Sequence, residues 1–230
     1  MNIDGMIDNF LAVANAEVGQ KGRRQKITLY AEGVKAKLRQ ADFALRELTR
    51  LNGVIDANIS STAAGDEFKT SEKVQFYCDA FWTFLYSSLD VLAQVANQAI
   101  RLDLEEKNVS FRRVKKKLGE PSYKSLPVSC HFAECTNSTA FKNLEKYRNC
   151  STHRRQIYIE EKITQVRGTS GYISSTRPRI PAVERLICDD ALTLNPKVLQ
   201  ERRIPEYMER AQARLLQYVD KIVQNMPISG

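Results

Sequence analysis

Residues 70–99 leave few folds open. Val74, Tyr77, Phe81, Phe84, Leu85, Leu89, Leu92, Val95, Ala96 and Ala99 recur at helical spacing and spread over an unusually wide arc. Thr70 or Ser71 can cap such a helix, and Glu72 and Lys73 open its first turn. A helix with one narrow stripe can lie on a surface. One this apolar has to be flanked on more than one side, at the centre of its domain. Asp90 falls inside the run. Its carboxylate sits either at the edge of the stripe in solvent or against a cation, because an unpaired buried charge is very costly.

Further helices supply the flanks. Ile3, Ile7, Phe10, Leu11 and Ala14 make 3–18 amphipathic, and Gly19 with Gly22 breaks it. A long helix follows over 25–59, with Tyr30, Val34, Leu38, Leu45, Leu48, Leu51 and Ile55 on one stripe. Residues 60–71 read as a loop and 103–110 as a polar connection. A short helix over 111–118 turns Phe111, Val114 and Leu118 inward and Arg112, Arg113, Lys115, Lys116 and Lys117 outward. Gly119 and Pro121 end it, and 119–137, with Pro127, reads as irregular. Ser138 or Thr139 caps the next helix. After it the period changes to two over 156–166, with a turn at 168–171, a returning strand at 172–176 and a third short strand at 184–188. Asn195 and Pro196 form a cap pair, and a last helix over 205–225 places Tyr207, Met208, Ala211, Leu215, Tyr218, Val219 and Ile222 on one face. The expected fold is all-α: an up-and-down helical bundle with a small β-hairpin or sheet insertion before the C-terminal helix. It forms one domain over 1–230, with an N-terminal helix and linker at 1–22 and the β insertion at 154–190.

At 230 residues the chain can bury a sizeable core. No apolar run reaches the length of a membrane span, and the N-terminus lacks the basic start, apolar core and cleavage site of a signal peptide. Five cysteines with no frame-like spacing suit a reducing compartment. A cytoplasmic protein without a membrane partner is expected. The net charge of +8 is unevenly placed, since 101–155 holds 13 Lys/Arg against 6 Asp/Glu. Such a segment attracts polyanions, as nucleic-acid binders do, or serves as a solvated face.

Within that segment lies Tyr147-Arg148-Asn149-Cys150-Ser151-Thr152-His153-Arg154-Arg155. On a helical wheel Phe141, Leu144 and Arg148 fall within about 60°, so Arg148 continues the apolar stripe. His153 stands about 140° from Arg148, on the face it shares with Asn149. The two meet only if the helix end distorts or a partner chain supplies one of them.

Arg148-Asn149, three further residues and His153 resemble the signature of the HEPN superfamily, whose domains are helical bundles with the motif near the end of a late helix. The resemblance implies a metal-independent endoribonuclease, with two protomers pairing so that both motifs face one cleft. Arg148 would hold the scissile phosphate, Asn149 would position substrate or neighbouring side chains, and His153 would transfer protons. The residue types suit the reaction. RNA brings its own 2′-hydroxyl nucleophile, imidazole titrates near neutrality, and guanidinium forks onto phosphate oxygens. Lys146, Arg154 and Arg155, with Arg112, Arg113, Lys115, Lys116 and Lys117, would add RNA contacts, and Asp90 would support Arg148. The physiological role implied is a toxin or phage-defence ribonuclease, with an antitoxin or regulatory protein as a possible partner. Some HEPN toxins carry a modifiable tyrosine two residues after the histidine. Arg155 stands there in this chain, which argues against that kind of silencing.

Other readings remain open at the residue level. Arg148 can be a salt-bridged core or interface arginine, and His153 a helix-terminal histidine favoured by the dipole. A non-catalytic HEPN-like RNA-binding or scaffolding protein is the main alternative, and a purely structural helical module the third. Cys130, His131 and Cys135, with Cys150 and His153, contain zinc-type ligands but match no strong zinc spacing. Cys130 and Cys135 are expected to be small packing residues, and no cofactor is expected. No Gly-rich phosphate loop suggests nucleotide hydrolysis.

Overall fold

The computed structural model describes residues 3–58, 67–149, 160–168, 171–180 and 202–228. These residues are mostly helical: α1 (Ile3–Glu17), α2 (Lys21–Asn58), α3 (Glu67–Ile100), α4 (Phe111–Leu118), α5 (Pro127–Asn137), α6 (Thr139–Asn149) and α7 (Ile204–Gln224). A 3-10 turn, Glu106–Asn108, precedes α4. Three strands complete the set: β1 (Glu160–Gly168), β2 (Gly171–Ile180) and β3 (Arg202–Arg203). β1 and β2 pair antiparallel from Glu160↔Arg179 to Gly168↔Gly171, and β3 adds to β2 through Arg179↔Arg203. The strand expected at 184–188 lies outside the described residues. α3 starts at Glu67, ahead of the Thr70 and Ser71 caps read from sequence.

The chain gathers into two compact units, one of Met1–Arg39, Phe84–Leu144 and Gln212–Gly230, the other of Gln40–Thr83 and Glu145–Ala211. In the first unit, α1 buries Ile7, Phe10, Leu11 and Ala14, and the start of α2 buries Ile27, Ala31, Val34 and Leu38. Along the end of α3, Leu85, Ser88, Leu89, Leu92, Ala93 and Ala96 are buried. α2 and α3 approach closely at Gly33, where an added Cβ would lie 3.1 Å from Val91 Cγ1. A larger residue there would require the Val91 side chain to give way.

Side chains from elsewhere close the C-terminal end of α3. Arg23 Nε donates to the Gln98 carbonyl at 2.7 Å and Nη2 to the Ala99 carbonyl at 2.9 Å. Those two carbonyls belong to the last turn, where helical partners run out. Burial first, and the nearby Arg101 charge second, lower the Arg23 pKa, although a guanidinium stays protonated at any pH where the chain folds. Beyond the helix, the Asn97 amide bonds both backbone groups of Leu104, donating to its carbonyl at 2.9 Å and accepting from its N–H at 3.1 Å. Between them Arg101 and Asp103 adopt left-handed φ of 59° and 57°.

α4 starts on Ser110, whose hydroxyl accepts from the Arg113 N–H at 3.4 Å. Its inward residues Phe111, Val114 and Leu118 are fully buried. The Phe111 ring packs 4.6 Å from Phe132 and 5.5 Å from Phe141, centroid to centroid. α5 corrects the irregular stretch expected before Asn137. Pro127 supplies its first turn with a pre-set φ, and the Ser129 hydroxyl donates to the Leu118 carbonyl at 2.6 Å. Its buried face is Val128, Phe132, Cys135 and Thr136, at helical spacing, but two of the four are Cys and Thr, which a search for large apolar residues passes over.

In the second unit, Ala41, Ala44, Leu45, Leu48 and Leu51 of α2 are buried, as are Val74, Cys78, Phe81 and Trp82 of α3. Tyr147 of α6 and Ile204, Tyr207, Met208 and Ala211 of α7 are buried as well. Among the described residues, no helix is long and apolar enough to cross a membrane.

Candidate functional site

The described part of the motif occupies the last residues of α6. Phe141 and Leu144 are buried as the stripe requires, but the next inward position belongs to Tyr147, which is fully buried, while Arg148 is half-buried. Arg148 therefore flanks the apolar stripe and does not continue it. Its Nη1–H donates to Asn149 Oδ1 at 3.1 Å, and Asn149 is exposed. The contact uses one of the five guanidinium N–H donors and turns the amide oxygen toward the cation.

An aromatic stack holds this helix end from behind. The Trp82 indole lies parallel to the Tyr147 ring, 4.5 Å between centroids and 10° between planes. Tyr207 closes the group, 6.1 Å from Tyr147 at 63° and 5.9 Å from Trp82. All three rings are buried. Because Tyr147 precedes Arg148 directly, the stack sets where the guanidinium leaves the helix. The stripe read from sequence omitted Trp82, which lies about 100° round the wheel from Phe81. Its burial matches its place three residues before Leu85 and seven before Leu89, on their side of the wheel. Its Nε1–H has no hydrogen-bond partner among the described residues, an exception to the usual satisfaction of buried donors.

The basic residues expected to contact RNA on α4 lie in the first unit. Arg112, Arg113 and Lys116 are exposed, and Lys115 and Lys117 are half-buried. Several are held in place. Arg112 lies over the Phe141 ring at 5.5 Å, Arg113 Nη1 donates to the Asn108 carbonyl at 2.9 Å, and Lys117 pairs with Glu120 at 2.7 Å. The Glu120 hydrogen bond raises the Lys117 pKa, so that ammonium is firmly charged. The side chains of Lys115 and Lys116 make no hydrogen bond or ion pair among the described residues. Asp90 accepts the Phe111 N–H at 3.0 Å and so anchors the start of this helix. Lys146, on α6, is half-buried.

His153, Arg154 and Arg155, with Cys150, lie outside the described residues. Arg148 and Asn149 are thus placed together by the structure, and the five bases of α4 form a second group.

The cysteine-histidine stretch changes most. Cys135 is buried, and burial pushes its thiol up to about 12. Cys130 is exposed and is no packing residue. Its neighbours are His131 and Glu134, with one donor atom from each of the three within 4.8 Å of the others. Glu134 joins this group, while Cys135 packs inside as expected from sequence.

Set against known proteins, residues 30–186 match the family model described as HEPN_Cthe2314-like HEPN. No curated protein and no solved structure matched the chain.

Proposed function

The chain belongs to the HEPN_Cthe2314-like HEPN family, and on that footing we propose that it is a metal-independent endoribonuclease acting as a homodimer. The observation that carries the reading is the Arg148–Asn149 pair at the end of α6, backed by the Trp82–Tyr147 stack. In this reading Arg148 binds the scissile phosphate and steadies the charge that grows on it, the kind of preorganised contact that often dominates catalysis. Asn149 orients the guanidinium or the ribose. His153 takes the proton from the 2′-hydroxyl, which attacks phosphorus. The 5′-oxygen leaves with a proton and a 2′,3′-cyclic phosphate remains. Two-fold pairing lets Arg148 of one chain serve His153 of the other.

Arg112, Arg113, Lys115, Lys116 and Lys117 hold the RNA backbone, with Asp90 fixing the start of their helix. Lys146, Arg154 and Arg155 add contacts beside the motif. The whole chain then works as one HEPN domain, with the paired strands as an insertion before α7. A toxin or defence role in the cytoplasm, restrained by an antitoxin-like or other regulatory protein, completes the proposal.

The test is labelled RNA incubated with the purified chain in EDTA. Cleavage leaving cyclic-phosphate ends, lost in His153→Ala with RNA binding retained, supports the reading. Cleavage that survives His153→Ala rejects the assignment. Salt-dependent RNA binding without products would favour the non-catalytic RNA-binding protein, which the firmly held bases of α4 also suit.

A further inference from the structure

One turn of α5 gathers three metal-ligand types. Cys130, His131 and Glu134 each offer a donor atom, all within 4.8 Å of one another. His131 Nδ1 and Glu134 Oε2 are 3.3 Å apart. Two donors each about 2.0–2.1 Å from a tetrahedral ion stand roughly 3.3–3.4 Å apart, so this pair already has the edge length of such a site. Helical phase produces the arrangement. Glu134 is four residues from Cys130 and three from His131, which puts it between them on the next turn. The Cys130 and Glu134 side chains face solvent, while the His131 side chain is only 18% exposed. Packing therefore holds the imidazole, and an ion can reach it.

We infer that Cys130, His131 and Glu134 bind a divalent transition-metal ion, leaving a coordination position for water or for a ligand from another chain. Sulfur, nitrogen and oxygen together suit zinc, cobalt or nickel, whereas calcium and magnesium take oxygen alone. Binding breaks the Cys130 S–H bond, releases the proton to solvent and forms a thiolate–metal bond, and no electron changes hands. The thiol gives up its hydrogen bond to the Pro127 carbonyl, now 2.9 Å long. The ion takes the place of the proton or charge that links His131 to Glu134. If these two residues served only as an ion pair along the helix, the thiol would take no part.

That difference makes the test. Full-length chain titrated with cobalt(II) should develop a near-ultraviolet thiolate-to-cobalt band that saturates stoichiometrically. Cys130→Ser should remove the band, and His131→Ala or Glu134→Gln should weaken cobalt binding at least about tenfold. Cys135→Ser, Cys150→Ser and Cys188→Ser should keep it. Zinc added to the unsubstituted chain should shield Cys130 from iodoacetamide, mapped by mass spectrometry, which needs no variant to fold. No charge-transfer band, a band that survives Cys130→Ser, unchanged affinity in His131→Ala, or unshielded Cys130 would each overturn the site. RNA cleavage is not read in any of these measurements, so failure here leaves the ribonuclease reading to its own assay.

Discussion

The indole of Trp82 lies face to face with the ring of Tyr147, 4.5 Å away and 10° from parallel. A parallel aromatic pair of this kind contributes about 0.5–1.5 kcal/mol beyond simple burial. Trp82→Ala should cost about 3–5 kcal/mol in urea unfolding. Trp82→Phe should cost clearly less, because it keeps a ring against Tyr147 and removes an indole N–H that has no partner among the described residues. Equal losses in the two variants would show that the stack does not hold this helix end.

Arg148 and Asn149 share a hydrogen bond beside that stack. If Arg148 binds the reacting phosphate, a lysine there keeps the charge and loses the fork. Single-turnover cleavage by Arg148→Lys should fall by about 10²–10³-fold, with RNA affinity changed far less. Wild-type rates in this variant would remove Arg148 from the chemistry.

Lys115 and Lys116 project from a helix that Asp90 and Ser110 pin at its start. Their replacement by alanine should weaken RNA binding without regard to sequence. The slope of log affinity against log salt should flatten by about 0.7 for each phosphate of single-stranded RNA that is no longer neutralised. Filter binding over a salt series measures it, and an unchanged slope would place the RNA elsewhere.

Two arginines meet at the end of α3 with opposite consequences for stability. Arg23 satisfies the carbonyls of Gln98 and Ala99, and Arg23→Met should destabilise the chain by about 2–3 kcal/mol, the scale of hydrogen bonds to a charged group. Arg101 holds a left-handed φ of 59° and presses its charge on Arg23. Arg101→Gly should therefore stabilise, by about 1 kcal/mol. Chemical unfolding of both variants checks the pair of signs.

Cys135 gives an alkaline signature. Burial holds its folded pKa near about 12, against an ordinary value of 9.0. Below pH 9 the thiol is protonated in folded and unfolded chains alike, and its contribution is fully present. Between 9 and about 12 the unfolded thiol ionises while the folded one does not, so stability falls with rising pH. Cys135→Ala should flatten that limb of the unfolding curve. At neutral pH iodoacetamide should modify exposed Cys130 well before Cys135.

Much of this architecture can be read from residue spacing. The wide apolar face of α3, the inward trio Phe111, Val114 and Leu118, and the buried face of α7 follow from helical period alone. The family could be recognised from six residues because their order and helical setting agreed. Residue type more than spacing hid the rest. α5 buries Val128, Phe132, Cys135 and Thr136 at helical spacing, but two of the four are Cys and Thr, and its start is marked only by Pro127. The stripe read along α3 omits Trp82, although it lies three residues before Leu85 and seven before Leu89, both buried. Tyr147 took the inward position assigned to Arg148, because position on an ideal wheel does not rank a large ring above a neighbouring cation. The gathering of Cys130, His131 and Glu134 was hidden because metal sites are legible in sequence as cysteine and histidine pairs, and Glu134 resembles any solvated acid.

The double hydrogen bond between the Asn97 amide and Leu104 has a reach beyond its two residues. It stands in for a neighbouring strand and closes a ring of backbone around 97–104, so the dihedral angles inside are fixed by closure and not by the side chains that line it. Arg101 and Asp103 are tenants of that ring. Aspartate at 97 would keep the acceptor and lose the donor, opening one side of the ring and leaving both residues free to return to ordinary right-handed backbone.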